Sequence, residues 1–261
     1  MTDRMLSRKD GGVGYVIFNN PERHNAVSLE MWARTHDILD AFRADEAVRV
    51  VVLTGAGGKA FVSGADISKF GAERASEESV ATYNDTTERV FSGVHDFPKP
   101  TIAMIRGYCI GGGMALAACC DMRICTEGSK FGIPAAKLGL GYDAKGVRRL
   151  MNVVGPSFAK EIFFTARQFD AEEARQMGFV NRVVADAGLE GYVKGYADTI
   201  AANAPLTVGS AKLVVGEFLK DEAERDMKAA AASVKRCFDS KDYIEGRTAF
   251  MDKRKPVFTG R

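Results

Sequence analysis

The sequence predicts an α/β fold, and three observations predict it. Strand-like and helix-like runs alternate through the first half, the pattern turns helical from about Leu189, and the 261 residues are 46% hydrophobic, ample for a buried core. GYVIFN, ending at Asn19, reads as the first strand, being rich in β-branched and aromatic residues. SLEMWARTHDILDAFRA follows as a helix, with Ser28 placed to accept a hydrogen bond from its first turn. VRVVVLTG is a second strand, a polar stretch runs from Ser68 to about Asp96, and TIAMIRG is a third strand. Gly111-Gly112-Gly113 then opens MALAACC, which reads as a buried helix. Asp170 and Glu173 have the D-x-x-E spacing of a capping box before ARQM, which Gly178 ends, and FVNRVV follows as a strand. GYVKGYADTIAANA and VGSAKLVVGEFL are helical, and the chain closes on the basic AFMDKRKPVFTGR. No low-complexity segment or fixed-period repeat interrupts this order.

Composition excludes several function classes. A net charge of +2 with both signs interspersed makes no strong field for nucleic acid but tolerates an anionic ligand. No apolar run is long enough to span a bilayer, and MTDRMLSRKDGG lacks the apolar region of a signal peptide, so a cytoplasmic location is expected. Cys109, Cys119, Cys120, Cys125 and Cys237 are odd in number, without a paired CxxC, and read as free thiols. His24, His36 and His95 have no metal-ligand spacing and no Cys/His cluster beside them, so no metal site is expected. TGAGGKA (54–60) fits a loose dinucleotide fingerprint, yet FVSGAD stands where the long helix should begin. It is no Walker A motif either, because Leu53 holds the first-glycine position and Ala60 follows the lysine.

The triple glycine carries the chemistry. Backbone amides at a helix start point outward with the positive end of the helix dipole behind them, a ready site for an oxyanion. A glycine there lets a carbonyl approach those amides.

GYCIGGGMALAACCD, with FVSGADI upstream and KFGIPAAKLGLGYD downstream, resembles the crotonase superfamily, the enoyl-CoA hydratase/isomerase family, and the resemblance extends over roughly Gly14 to Phe258. It implies a spiral of ββα units forming an acyl-CoA-binding core over residues 1–195. A helical oligomerisation region over residues 196–261 would pack trimers, giving a homotrimer or a dimer of trimers. The implied partner is an acyl-CoA thioester, with coenzyme A entering as part of the substrate and no separate cofactor, nucleic acid or membrane. The amides of Ala65 and Gly112 would form the oxyanion hole for a thioester enolate, one such donor being worth roughly 2.7–4 kcal/mol of barrier.

Hydratases of that family use two glutamates, whose positions here are Ala115 and Ala135. A methyl group moves no proton. Asp143 stands where aspartates work on substrate in members that isomerise dienoyl-CoA or ring-opened aromatic acyl-CoA, or that dehalogenate aroyl-CoA. It also precedes AKGVRRLMNVV and suits a helix N-cap, and the two roles are compatible. Glu88 is a candidate second carboxylate, or alternatively a solvated charge on a polar helix face. Tyr142 lines the acyl pocket or simply packs. Arg23, Ala65, Asp66 and Ile67 fall where the family borders coenzyme A, and Phe250 and Lys253 match a terminal helix that reaches it from a neighbouring subunit. The expected reaction is a double-bond shift in an unsaturated acyl-CoA with Asp143 as the base. The alternatives are an atypical enoyl-CoA hydratase, an aroyl-CoA dehalogenase-like enzyme with Asp143 as nucleophile, and a non-catalytic CoA- or RNA-binding protein.

Overall fold

Val50–Gly55 (β3) and Thr101–Ile105 (β5) are apolar nearly throughout, as suits strands covered on both faces, and they pair in parallel at the centre of a six-stranded sheet. The computed structural model describes residues 3–69 and 76–261. In spatial order the sheet holds β1 (Met5–Asp10), β2 (Val13–Phe18), β3, β5, β7 (Met122–Thr126) and β10 (Arg182–Val184). β1 and β2 form an antiparallel pair, and the other neighbours are parallel. A second sheet holds β4 (Ala60–Val62), β6 (Tyr108–Ile110), β8 (Lys130–Gly132) and the short β9 (Phe169–Asp170).

The chain passes from β3 to β4, from β5 to β6 and from β7 to β8, placing one strand in each sheet per turn. Helices α2 (Glu77–His95), α3 (Gly112–Cys119) and α4 (Ala144–Thr165) follow these strand pairs. This is the spiral of ββα units that the sequence resemblance implied. Strand alternation divides the side chains between two cores. Val51 and Leu53 enter the larger one, with Trp32 and Leu39 of α1 (Leu29–Ala44), while Val50 and Val52 face Leu189, Val193 and Ala197 of α6 (Leu189–Ala202). The expected boundary at residues 195/196 therefore falls inside a helix that packs on the sheet. The remaining helices are α7 (Pro205–Phe218), α8 (Met227–Phe238) and α9 (Lys241–Met251). No helix among the described residues is long and apolar enough to cross a membrane.

Local signals behave as their chemistry requires. Ser28 accepts from the Met31 amide at the start of α1. Asp170 and Glu173 close a reciprocal capping box on α5 (Ala171–Gln176), with bonds of 2.8 and 3.0 Å. TGAGGKA leads into strand β4 rather than a helix. FVNRVV is strand only over Arg182–Val184, because the Phe179 and Val180 amides donate back to the Ala174 carbonyl of α5 instead of to a neighbouring strand. Cys109, Cys119, Cys120 and Cys125 are buried free thiols, and Cys237 is a half-buried one.

Arg123 on β7 is a buried cation with no carboxylate hydrogen-bonded to it among the described residues. Its guanidinium donates to the carbonyls of Phe179, Ala117 (3.1 Å) and Cys120 (2.6 Å), the last two at the C-terminal end of α3. A positive charge suits the negative end of a helix dipole, so Arg123 anchors the helix whose other end carries the triple glycine. Arg123→Met keeps the aliphatic bulk and removes the donors. Urea unfolding should show a loss of about 2–4 kcal/mol, since each buried carbonyl left unpaired costs roughly 1–3 kcal/mol; an unchanged midpoint would mean that the carbonyls find other donors.

Candidate active site

The three glycines fill three different needs. Gly111 has φ +56°, in the region that disfavours other residues. A side chain on Gly113 would begin 2.0 Å from the Val62 carbonyl oxygen, so only glycine lets α3 lie against β4. Gly112 is different. A methyl there would make only ordinary contacts, 3.7 Å from Cζ2 of Trp32 and 3.9 Å from the Gly64 Cα. The packing around this position does not demand glycine.

Gly64, with φ +108°, brings the FVSGADI loop against the same glycines: a side chain on Gly64 would begin 3.8 Å from the Gly112 nitrogen. The loop is fixed from behind, since Val27 N–H donates to Gly64 O and Asp66 N–H to Val27 O, each at 2.9 Å. This parallel bridge pairs Val27 with Ala65. Neither the Ala65 amide nor the Gly112 amide donates to any described residue. Two adjacent loops thus present two free N–H groups.

Beside Ala65, the buried Asp66 carboxylate ties the loop together. Its Oδ1 accepts from Ser68 Oγ at 2.6 Å and pairs with Arg23 at 3.2 Å. Burial pushes the Asp66 carboxyl up, but the Ser68 and Arg23 bonds outweigh it and hold it below its ordinary value. Arg23 stays about half exposed (53%), so its charge faces solvent from a fixed base. Ile67 begins a 3-10 turn, Ile67–Lys69, and its side chain lies outside the described residues.

Ala115 and Ala135 are both 7% exposed and belong to the larger core. Cys119, one turn after Ala115 on α3, bonds to the Ala115 carbonyl, and burial pushes its thiol up to about 12. Tyr142 packs on Phe163 with ring centroids 5.0 Å apart. Burial, and next the Asp143 charge, raise its phenol above its ordinary value, so the hydroxyl stays protonated. Asp143 is exposed and caps α4, its Oδ1 accepting from the Gly146 amide at 2.9 Å, while its Oδ2 accepts no hydrogen bond from any described residue.

Glu88 is neither free nor simply solvated. Arg149 grips it with two parallel bonds of 2.9 and 2.7 Å, Ser92 adds one of 2.8 Å, and Lys145 lies 3.7 Å away. The Arg149 bonds, with that of Ser92, hold the Glu88 carboxyl below its ordinary range. Sequence reasoning missed Arg149, which reads as one more charge in AKGVRRLM. It also missed Trp32, whose ring stands behind Gly112 and packs edge-on against Phe91 of α2 at 5.4 Å.

Phe250 and Lys253 lie in the C-terminal helical region. Phe250 is 82% exposed on α9 and lines an apolar cleft of about 860 Å³ with Val215 and Phe238. Lys253 follows α9 with φ +55°.

Comparison with known proteins matches this architecture over its whole length. Residues 8–261 fit the profile described as Enoyl-CoA hydratase/isomerase. Crotonyl-CoA hydratase of Syntrophomonas wolfei is 33% identical over 259 residues, covering 99% of each chain. Carnitinyl-CoA dehydratase of Escherichia coli is 32% identical over 268 residues, covering 100% of each. Among solved structures, an enoyl-CoA hydratase/carnithine racemase from Magnetospirillum magneticum superposes with a TM-score of 0.95 at 37% identity, covering 100% of this chain and 97% of that one. With its spiral of ββα turns and this match from one end to the other, the chain belongs to the enoyl-CoA hydratase/isomerase family, within the crotonase superfamily.

Proposed function

We propose that this protein shifts a double bond in an unsaturated acyl-CoA, with the thioester oxygen held by the Ala65 and Gly112 amides and the proton carried by Asp143. One observation bears most of the weight: Asp143 caps α4 through Oδ1 and leaves Oδ2 without a hydrogen bond from any described residue, at the position where the resemblance puts a carboxylate that works on substrate. Asp143 Oδ2 takes a proton from carbon, the electron pair moves into the thioester to give an enolate, and the same oxygen returns the proton two carbons away. No water enters or leaves. The two amides act as the negative charge grows on oxygen, each worth roughly 2.7–4 kcal/mol of barrier. Glu88 is a poor base by contrast, since Arg149 and Ser92 fill its acceptor sites and favour its ionised form.

Coenzyme A would lie along the Arg23–Asp66 loop, where the exposed guanidinium suits a phosphate. Phe250 and Lys253 would reach it from a neighbouring copy in a homotrimer or dimer of trimers, as the exposed apolar surface of α9 favours. The family relationship favours a cytoplasmic enzyme.

A crystal structure with an unreactive acyl-CoA analogue tests the binding part of this reading. The thioester oxygen is expected about 3 Å from both amides; an oxygen beyond hydrogen-bonding distance of both would end it. Water addition is the second reading, favoured by the relatives named crotonyl-CoA hydratase and carnitinyl-CoA dehydratase. It would require Asp143 alone to do the work that the family resemblance assigns to two glutamates in hydratases.

A further inference from the structure

The Ala65 amide is aimed from behind. Gly64 C=O and Ala65 N–H belong to one planar trans peptide and point in opposite directions, so the bond from Val27 N–H to Gly64 O also fixes where the Ala65 N–H points. Asp66 N–H, donating to Val27 O, locks the next peptide. Ser63 adds two bonds to the same backing segment, its N–H donating to His24 O at 3.2 Å and its hydroxyl to Arg23 O at 3.4 Å. The placement of residues 23–27 therefore decides the direction of the free N–H.

That segment is held under strain. His24 and Asn25 are consecutive residues with φ +51° and +54°, in the left-handed region that side chains disfavour and that asparagine tolerates better than most. Asn25 is fully buried, and its side chain is saturated with partners: Oδ1 accepts from the Asn20 amide at 2.8 Å, while Nδ2 donates to Ala60 O at 2.7 Å and to Ala56 O at 3.0 Å. Aspartate would match its shape without the donors, and glycine its backbone without any of the bonds. Ala60 opens β4, the strand that runs into the FVSGADI loop, so Asn25 clamps the backing segment to the strand that carries the amide. Backbone strain gathers where geometry serves a mechanism. We infer that Asn25 is a positioning residue, which touches no substrate but aims the Ala65 N–H at the thioester oxygen. The inference rests on the oxyanion hole proposed above and names what holds it in register.

The test reads the thioester carbonyl itself. Butanoyl-CoA has no double bond to move; labelled at its carbonyl carbon, it gives a bound C=O stretch in isotope-edited infrared difference spectra. In the wild type that band should lie below its position in water, because two fixed donors polarise the bond. Asn25→Gly keeps φ +54° without strain and removes all three side-chain bonds, and the band should return most of the way to its water position. With 3-hexenoyl-CoA the same variant should lose roughly ten-fold in kcat with KM within about three-fold, less than the 10²–10³-fold that follows outright removal of a donor. Asn20→Ala deletes only the bond from Asn20 Nδ2 to Ala26 O, 2.9 Å long, and should move the band the same way by less. Asp170→Ala breaks the capping box at the opposite edge of the second sheet from β4 and should leave the band in place. A wild-type band at its water position would overturn the oxyanion hole and this inference with it. A shifted wild-type band that persists in folded Asn25→Gly, or that moves equally in Asp170→Ala, would overturn the clamp alone, as would an unchanged kcat. Should Asn25→Gly fail to fold, Asn20→Ala decides by the same comparison. If the wild type moves no double bond, the isomerase reading falls and the band alone decides.

Discussion

Asp143→Asn should fold normally, bind acyl-CoA with nearly wild-type affinity, and lose about 10²-fold or more in turnover. The side chain has two tasks that this substitution separates. As an N-cap it offers one oxygen to the Gly146 amide at 2.9 Å, and asparagine caps a helix about as well as aspartate. As a base it needs the negative charge on the second oxygen, which asparagine lacks. Matching melting temperatures with collapsed turnover is therefore the expected pair of results. A variant that retains more than about a third of wild-type activity would remove Asp143 from the chemistry, because losing a general base typically costs roughly 10²–10⁴-fold.

Crotonyl-CoA hydration should be slower than in a hydratase that carries both glutamates, by about 10²–10⁴-fold. The Ala115 and Ala135 side chains, which stand where the resemblance puts those glutamates, are buried in the larger core at 7% exposure each, and a methyl group moves no proton. Ala135→Glu alone should recover little, because in those hydratases activating water and protonating carbon are shared between two groups. Initial rates on crotonyl-CoA beside a relative with both glutamates measure the difference. Equal rates would mean that Asp143 suffices for water addition, and the second reading would replace the first.

Features that depend on neighbours in the chain were legible in the sequence. The Ser28 and Asp143 caps and the Asp170–Glu173 box each involve residues three apart, so spacing alone discloses them. The triple glycine was legible as the start of a buried helix for the same reason. What each glycine does was not, because Gly113 is required by the Val62 carbonyl on a strand some fifty residues earlier. Long-range pairs were hidden altogether. Glu88 and Arg149 stand 61 residues apart, and each looks like an ordinary surface charge until α2 and α4 bring them together. Arg123 likewise sits in a strand-like run, and only the fold shows that it closes the end of α3. FVNRVV has strand composition throughout, yet the Phe179 and Val180 amides bond back to the Ala174 carbonyl and confine the strand to its last three residues.

The central claim is that this site moves a proton between carbons without adding water. The most direct measurement is to incubate the enzyme with 3-hexenoyl-CoA, follow the absorbance of the conjugated thioester, and weigh the product by mass spectrometry. The account predicts rising absorbance and a product of unchanged mass, 2-hexenoyl-CoA, with Asp143→Asn abolishing both the signal and the product. A product heavier by one water, or no reaction with an acyl-CoA that the protein demonstrably binds, would contradict it.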